Sequence, residues 1–205
     1  MKGDWFTRFK EGGKLYLTDE SYAQAKKALE EDLPVYMRHI KDGGRILEAA
    51  CGPGYTAIPL SHHFKVTAFD RDERVLEAAR KNARAYGKTI EFMEADFFDI
   101  AKKFGKDSFD AVSSGGVLEH FPKDKIRKLA SLQLEVAPIV FASMPLFTVE
   151  QVEEHRGLGI ETFYYTEQDW LSDVFGDYNV VEHRRLPVRP VYGKFREFMV
   201  VLGRK

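Results

Sequence analysis

The sequence predicts an α/β fold: a three-layer sandwich in which helices cover both faces of a mainly parallel sheet. Three observations carry this. Short apolar runs of strand length alternate with longer stretches whose apolar residues recur at helical spacing. The first such run, Ile46 and Leu47, passes through Glu48 and the small residues Ala49, Ala50 and Cys51 into Gly52, Pro53 and Gly54. A buried strand that enters a turn almost free of side chains lets a ligand approach the backbone closely. The chain then closes with two strand-like runs, 179–186 and 195–202, with no helix between them. That ending suits an antiparallel hairpin at one edge of the sheet.

The elements follow in order. Residues 1–17 mix Trp5, Phe6, Phe9, Tyr16 and Leu17 with charges and glycines, and read as an irregular arm, a candidate lid over a ligand. Thr18 caps a helix with Asp19 and Glu20 in its first turn and Tyr22, Ala25, Leu29, Leu33, Tyr36 and Ile40 on its apolar face. Pro34 is expected to kink or restart it, and Gly43 and Gly44 to stop it. After the glycine turn, Tyr55, Ala57, Ile58 and Leu60 suit a helix whose first N–H groups point at a ligand. Residues 64–69 read as a second strand ending at Asp70, and 72–86 as a helix with Gly87 at its C-terminal cap. Residues 89–93 form a third predicted strand, with Asp96 beyond it, and 109–112 a fourth, running into Ser113, Ser114, Gly115 and Gly116. Pro122 suits the first position of the next helix, and 139–142 read as a fifth strand. Thr148 and Gln151 resemble a capping box for a short helix, 155–159 read as a loop, and Thr166 starts a helix containing Trp170, Leu171, Val174 and Phe175. A loop with Pro187 and Pro190 joins the last two strands.

Composition narrows the function classes. The 205 residues, 44% hydrophobic and 31% charged, suffice for one globular domain with a substantial core. A formal net charge of −1 gives no bulk attraction to nucleic acid or an anionic membrane. One cysteine excludes an internal disulfide and a multi-cysteine zinc site, and no His/Asp/Glu set has metal-ligand spacing. The N-terminus lacks the apolar core of a signal peptide, and no run nears the ~20 apolar residues of a membrane span. A cytoplasmic chain is expected.

Glu48, Asp70 and Asp96 follow successive strands, at the end where open α/β sheets bind ligands. Carboxylates only accept hydrogen bonds, so Asp70 suits the two hydroxyls of a ribose, Asp96 an adenine amino group and Glu48 a cationic ammonium. Asp110, before the end of its strand, is expected to be structural.

On these residues the chain resembles the class I S-adenosylmethionine-dependent methyltransferases, well over 43–145 and more loosely beyond. Their first motif is an acid followed by alternate glycines; here it reads Glu48-Ala-Ala50-Cys-Gly52-Pro-Gly54, with Ala50 in place of the first glycine. By the resemblance, Asp70 is the ribose acid, Arg71 packs on adenine, and Asp96 and Phe97 are the adenine-contacting pair. Ser113 to Phe121 contains VLEH, a common string in these enzymes, and Ser114 and Gly115 would offer backbone to the methionine end of the cofactor. The resemblance implies strand order 3-2-1-4-5-7-6, the last strand being antiparallel. It divides one domain into an arm and helix (1–42), a cofactor-binding core (43–145), and an acceptor-side segment with the closing hairpin (146–205).

Gly52-Pro-Gly54-Tyr-Thr-Ala57 also fits the dinucleotide pattern, with Asp70 near the distance an NAD site needs. Glu48, the Asp96-Phe97 pair, VLEH and the closing hairpin favour the methyl donor instead. His120 is the leading candidate for a general base, with Glu119 beside it and His155 a distant second, although a bracing role for His120 and Glu119 in the turn and helix is the preferred reading. Cys51 reads as a small packing residue and His62-His63 as the exposed end of a helix. Trp5, Phe6, Tyr16 and Phe147 flank the expected cofactor edge and suit an acceptor pocket. The basic run 183–196, with Arg184, Arg185, Arg189, Lys194 and Arg196, suits phosphates. Yet Ser113-Ser114-Gly115-Gly116 stands where base-modifying amino methyltransferases carry Asn/Asp-Pro-Pro-aromatic, and no Pro-Cys pair is present. A small-molecule O or N acceptor is the first expectation. RNA, DNA or protein is the alternative, and a cofactor-binding regulator without activity stays open.

Overall fold

The computed structural model describes residues 4–157, 159–189 and 195–205. Seven strands form one sheet: β1 (Arg45–Ala49), β2 (Lys65–Asp70), β3 (Glu91–Glu94), β4 (Ala111–Gly115), β5 (Ile139–Leu146), β6 (Asn179–Leu186) and β7 (Arg196–Gly203). Their order is β3-β2-β1-β4-β5-β7-β6, with β7 antiparallel to both neighbours and the other pairings parallel. The expected order and the inserted last strand are both present. β2 and β4 flank β1, so the chain reverses its direction of winding beside β1, where open α/β sheets leave a crevice.

Successive strand residues point to opposite faces. On one face Leu47, Phe69, Val112 and Val140 pack with Ile126, Leu129 and Ala130 of α6 (Lys123–Val136) and with Trp170 and Phe175. On the other, Ile46, Ala68, Ala111, Phe141 and Val201 pack with Leu29, Val35 and Tyr36 of α2 (Asp19–His39), Leu60 and Leu76. Leu60 belongs to α3 (Ala57–Leu60) and Leu76 to α4 (Glu73–Ala85). The α2 start carries a reciprocal cap between Thr18 and Ser21. Asp72 caps α4, and Gly87, at φ 64°, ends it as anticipated.

Several local expectations need correction. The arm is not wholly irregular: α1 (Trp5–Glu11) forms, with no buried residue of its own. Helix α2 runs through Pro34 without restarting. Helix α3 is a single turn without a side-chain cap, too short to supply much dipole. β3 begins two residues later than expected. β4 extends to Gly115 because β1 and β5 hold it on both sides, although Ser-Ser-Gly reads as loop. β5 continues to Leu146 because β7 pairs with all eight of its residues. Pro145 is tolerated there because the β4 pairing stops at Ser143, so the side facing away from β7 needs no donor. Pro122 is the N-cap of α6 rather than its first residue. A five-residue helix, α5 (Ile100–Phe104), was not anticipated.

After β5, Thr148 and Gln151 make the expected reciprocal cap. Helix α7 (Val149–Gly157) then carries His155 in its last turn, where a loop is expected. Residues Asp169–Val174 form a π-type helical turn behind a Thr166–Asp169 cap. Leu158, Pro190 and Lys194, named in the sequence reading, lie outside the described residues.

Candidate functional site

A cavity of about 390 Å³ lies at the C-terminal ends of β1, β4 and β5. Its volume is in the range of small-molecule sites. From the expected set it gathers Glu48, Ala50, Cys51, Gly52, Gly115 and His120. Ser113, Gly116 and Glu119 join them.

The turn after β1 is held from several directions. Ala50, Gly52 and Gly54 all have positive φ (52°, 52° and 93°). Ala50 thus adopts the left-handed conformation glycine prefers, which answers the departure from the alternate-glycine motif. Cys51 N–H donates to the Phe69 carbonyl (2.8 Å), and Gly52 N–H to the Asp70 carboxylate (3.0 Å). Asn82 donates to the carbonyls of Pro53 (2.9 Å) and Leu15 (3.1 Å), tying the turn to α4 and the arm. A Cβ on Gly54 would meet Ile58 at 3.0 Å, so its lack of a side chain permits packing on α3. Cys51 is buried, and burial holds its thiol up, so it packs rather than reacts.

Glu48 is 2% exposed, and its Oε2 has no hydrogen-bond partner. Burial pushes its carboxyl up to about 8, against a hydrogen bond with Ser113. Such an oxygen at the rim of a glycine turn fits a ligand ammonium, so the residues present suit the methionine end of the expected cofactor.

The other expected contacts lie beside the cavity rather than in it. Asp70 also accepts from the Asp72 N–H (3.2 Å); burial raises its pKa while these two N–H groups lower it. Arg71 is exposed. Asp96 is exposed and caps the short turn Phe97–Asp99 through Phe98 N–H (2.8 Å). Phe97 is buried and meets the Phe69 ring edge-on at 5.7 Å. Ser114 is buried, with its hydroxyl unpartnered, and Gly54 is buried under α3.

The far end of the cavity is where sequence reasoning saw least. Glu119 is 3% exposed with Oε2 unpartnered, and burial pushes it up to about 8. Glu197 of β7 is buried, and burial pushes it up to about 7 against the pull of Arg189. Arg189 is itself buried and makes a bidentate pair with Asp32 of α2 (2.6 and 2.7 Å). His120 Nδ1 donates to the Glu161 carbonyl (2.9 Å), which leaves the lone pair on Nε2, 3.7 Å from Glu119 Oε1. Burial holds His120 down at about 4, so it is neutral. His155 faces the Phe147 ring at 4.6 Å.

Aromatic side chains wall the space. Phe147, expected there, lines it with Phe195 and Tyr36. Of the N-terminal group, Trp5 lines it and meets the His120 ring at a tilt, 5.1 Å between centroids, while Phe6 instead faces the Arg74 guanidinium and Tyr16 is exposed. Phe9 of α1, one of the arm aromatics, lies 3.2 Å from where a Gly52 Cβ would stand. Asp32 and Glu197 carried no sequence signal, because each reads as an ordinary member of its own element.

Part of the basic run is engaged within the fold, while Arg196 is exposed. Arg184 pairs with Asp32 (3.6 Å), Arg185 with Glu167, and Arg189 is inside the fold. Among the described residues no group of three or more His, Cys, Asp or Glu is arranged to hold a metal ion. His62 contacts Tyr22 (2.8 Å) and Lys88 (3.1 Å). No helix among the described residues is long and apolar enough to cross a membrane.

Comparison with known proteins bears on the fold. Residues 46–136 match the family model for a methyltransferase domain. The ribosomal RNA small subunit methyltransferase H of Rickettsia massiliae is 30% identical over 173 residues, covering 78% of this chain and 53% of that protein. The chain therefore spans about half the length of that relative. The ubiquinone biosynthesis O-methyltransferase of Methylocella silvestris is 38% identical over 80 residues, 38% of this chain and 30% of that one. The magnesium protoporphyrin IX methyltransferase of Synechocystis PCC 6803, solved with bound SAM, superposes with a TM-score of 0.67 at 18% identity. That superposition covers 99% of this chain and 98% of that chain. Residues 46–136 thus match a methyltransferase-domain model, and the seven-stranded sheet has the fold of the solved methyltransferases it superposes on.

Proposed function

We propose that this chain transfers a methyl group from S-adenosylmethionine to an oxygen or nitrogen of a small molecule. The observation that carries this reading is a cavity of about 390 Å³ with the glycine turn and the unpartnered Glu48 oxygen at one end and aromatic walls around it. In this reading Glu48 binds the ammonium of the methionine moiety, and the backbone of Ala50, Cys51, Gly52, Gly54, Ser114 and Gly115 lies along it. Asp70 takes the ribose hydroxyls; Arg71, Asp96 and Phe97 flank the adenine. Residues 43–145 hold the donor, 1–42 cover it and 146–205 shape the acceptor side.

Bound S-adenosylmethionine supplies an electrophilic methyl carbon on a sulfonium whose charge disperses as the methyl leaves. The protein's task is to hold the acceptor at ~3–3.5 Å from that carbon and keep water out. Trp5 and Phe147 exclude water, while Glu119 and His120 stand together for any proton the acceptor loses.

Calorimetric titration with S-adenosylmethionine, its demethylated product and NAD tests the reading. Binding of the first two alone is expected, and comparable binding of NAD would overturn it. The likeness to ribosomal RNA methyltransferases favours a second reading, an RNA acceptor. The ion pairs that occupy Arg184, Arg185 and Arg189 speak against it. RNA binding that falls steeply with salt would favour the second reading over the first.

A further inference from the structure

The cavity gathers more buried carboxyl groups than its buried cation can pair. Asp32, Glu48, Glu119 and Glu197 line it, each under 9% exposed, whereas Arg189 is the buried cation among the described lining residues. Its guanidinium is engaged by Asp32 on both sides of the fork and stands 3.8 Å from Glu197. Arg8 and Lys14 also line the space but are not buried. With Glu48 assigned to the ammonium of the donor, Glu119 keeps a buried oxygen with no hydrogen-bond partner among the described residues. The adjacent Glu197 carboxylate adds to the negative field there.

An anionic acceptor would bring like charge into a desolvated site of carboxyl groups. A neutral hydroxyl would give the orphaned oxygen one hydrogen bond and no opposite charge. A protonated amine satisfies the orphaned oxygen and the field together, and the rings of Trp5, Phe147 and Phe195 suit an ammonium or an attached apolar group.

We propose that the acceptor is a primary or secondary amine, bound and deprotonated by Glu119. This rests on the methyl-donor reading above. Beside the ammonium Glu119 stands as carboxylate, the opposite charge offsetting its burial; the ammonium then gives it one proton, turning it into carboxylic acid and freeing the nitrogen lone pair. That lone pair forms the new N–C bond as the C–S bond breaks, its electrons staying on sulfur. The N-methylammonium product leaves, and Glu119 returns its proton to solvent. His120 is a positioning residue in this scheme: its Nδ1–H is fixed on the Glu161 carbonyl, which turns the Nε2 lone pair toward Glu119 Oε1, 3.7 Å away. Burial holds Glu119 up at about 8 and His120 down at about 4, which makes Glu119 the stronger base of the two.

The test is calorimetry on the full chain saturated with S-adenosylhomocysteine, titrated with phenethylamine, phenethyl alcohol and phenylacetate. The amine is expected to bind at least tenfold more tightly than the alcohol, with no measurable binding of phenylacetate. Glu119→Gln should bring amine and alcohol within about twofold of each other while S-adenosylhomocysteine affinity stays unchanged; Glu119→Asp should keep part of the preference. Equal binding of amine and alcohol, binding of the carboxylate, no binding of the amine, or an undiminished preference in Glu119→Gln would each overturn the proposal. Failure of S-adenosylhomocysteine to bind would instead remove the donor reading, and the amine preference is then read on the free protein by the same criteria.

Discussion

The glycine-turn end of the cavity is assembled from sequence neighbours, residues 48–54 and 113–116, whereas its far end joins Asp32, Glu119, Arg189 and Glu197 from four separate parts of the chain. The first end is backbone-rich, and main-chain hydrogen bonds hold it in place. The second is built of charged side chains that meet across up to 157 residues of sequence. A local turn can be kept by short-range geometry alone. A buried charge cluster depends on the whole tertiary structure, and each member is costly without the others.

That contrast breaks first at the far end. Asp32→Ala leaves Arg189 buried without its bidentate partner and is expected to cost about 3–5 kcal/mol of unfolding free energy in urea titrations. Replacing both members with apolar residues should recover most of the loss. A single-variant cost below about 1 kcal/mol would show that the pair is solvated.

The pH dependence of stability separates the same two kinds of construction. Burial pushes Glu48 and Glu119 up to about 8 and Glu197 up to about 7. Their folded values exceed the ordinary 4.5, so their contribution is complete below that pH and lost as pH rises through about 8. His120, lowered from 6.5 to about 4, works in the opposite sense, but only between those values. Thermal melts of the ligand-free protein should therefore fall from about pH 6.5 to about pH 8.5. Glu119→Gln should flatten that decline, and an unchanged slope would mean Glu119 is not desolvated.

At the glycine-turn end the effects are smaller. Asp70→Ala should weaken S-adenosylhomocysteine binding by about 1.5–3 kcal/mol by calorimetry, the worth of charged hydrogen bonds. Unchanged affinity would leave Asp70 only its bonds to Gly52 and Asp72. Ala50→Gly relieves a left-handed alanine and should raise stability by about 1 kcal/mol or less, read as a shift in urea midpoint.

The same contrast explains what the sequence disclosed. The closing hairpin and the glycine turn were legible because alternation, hinge glycines and an acid after a strand are local signals, whereas the strand order followed from the family resemblance. The extension of β4 was not, since Ser113-Ser114-Gly115 becomes strand only through its neighbours β1 and β5. Helix α1 was hidden by its seven-residue length and the lack of a side-chain cap. His155 was read as loop because α7 has almost no amphipathic contrast to mark its end. Asp32 looked like one more acid on a charged helix until Arg189 met it.

Phe9 rests on Gly52 from a helix that buries none of its own residues and is tied to the body through the exposed Arg74–Asp4 pair and the Arg74–Phe6 contact. A ligand lying against Gly52 must contend for the volume that this ring fills. Seating of the first helix and loading of the glycine turn are therefore rivals for one patch of backbone. Added salt, which loosens the exposed tether, tilts that rivalry toward the ligand.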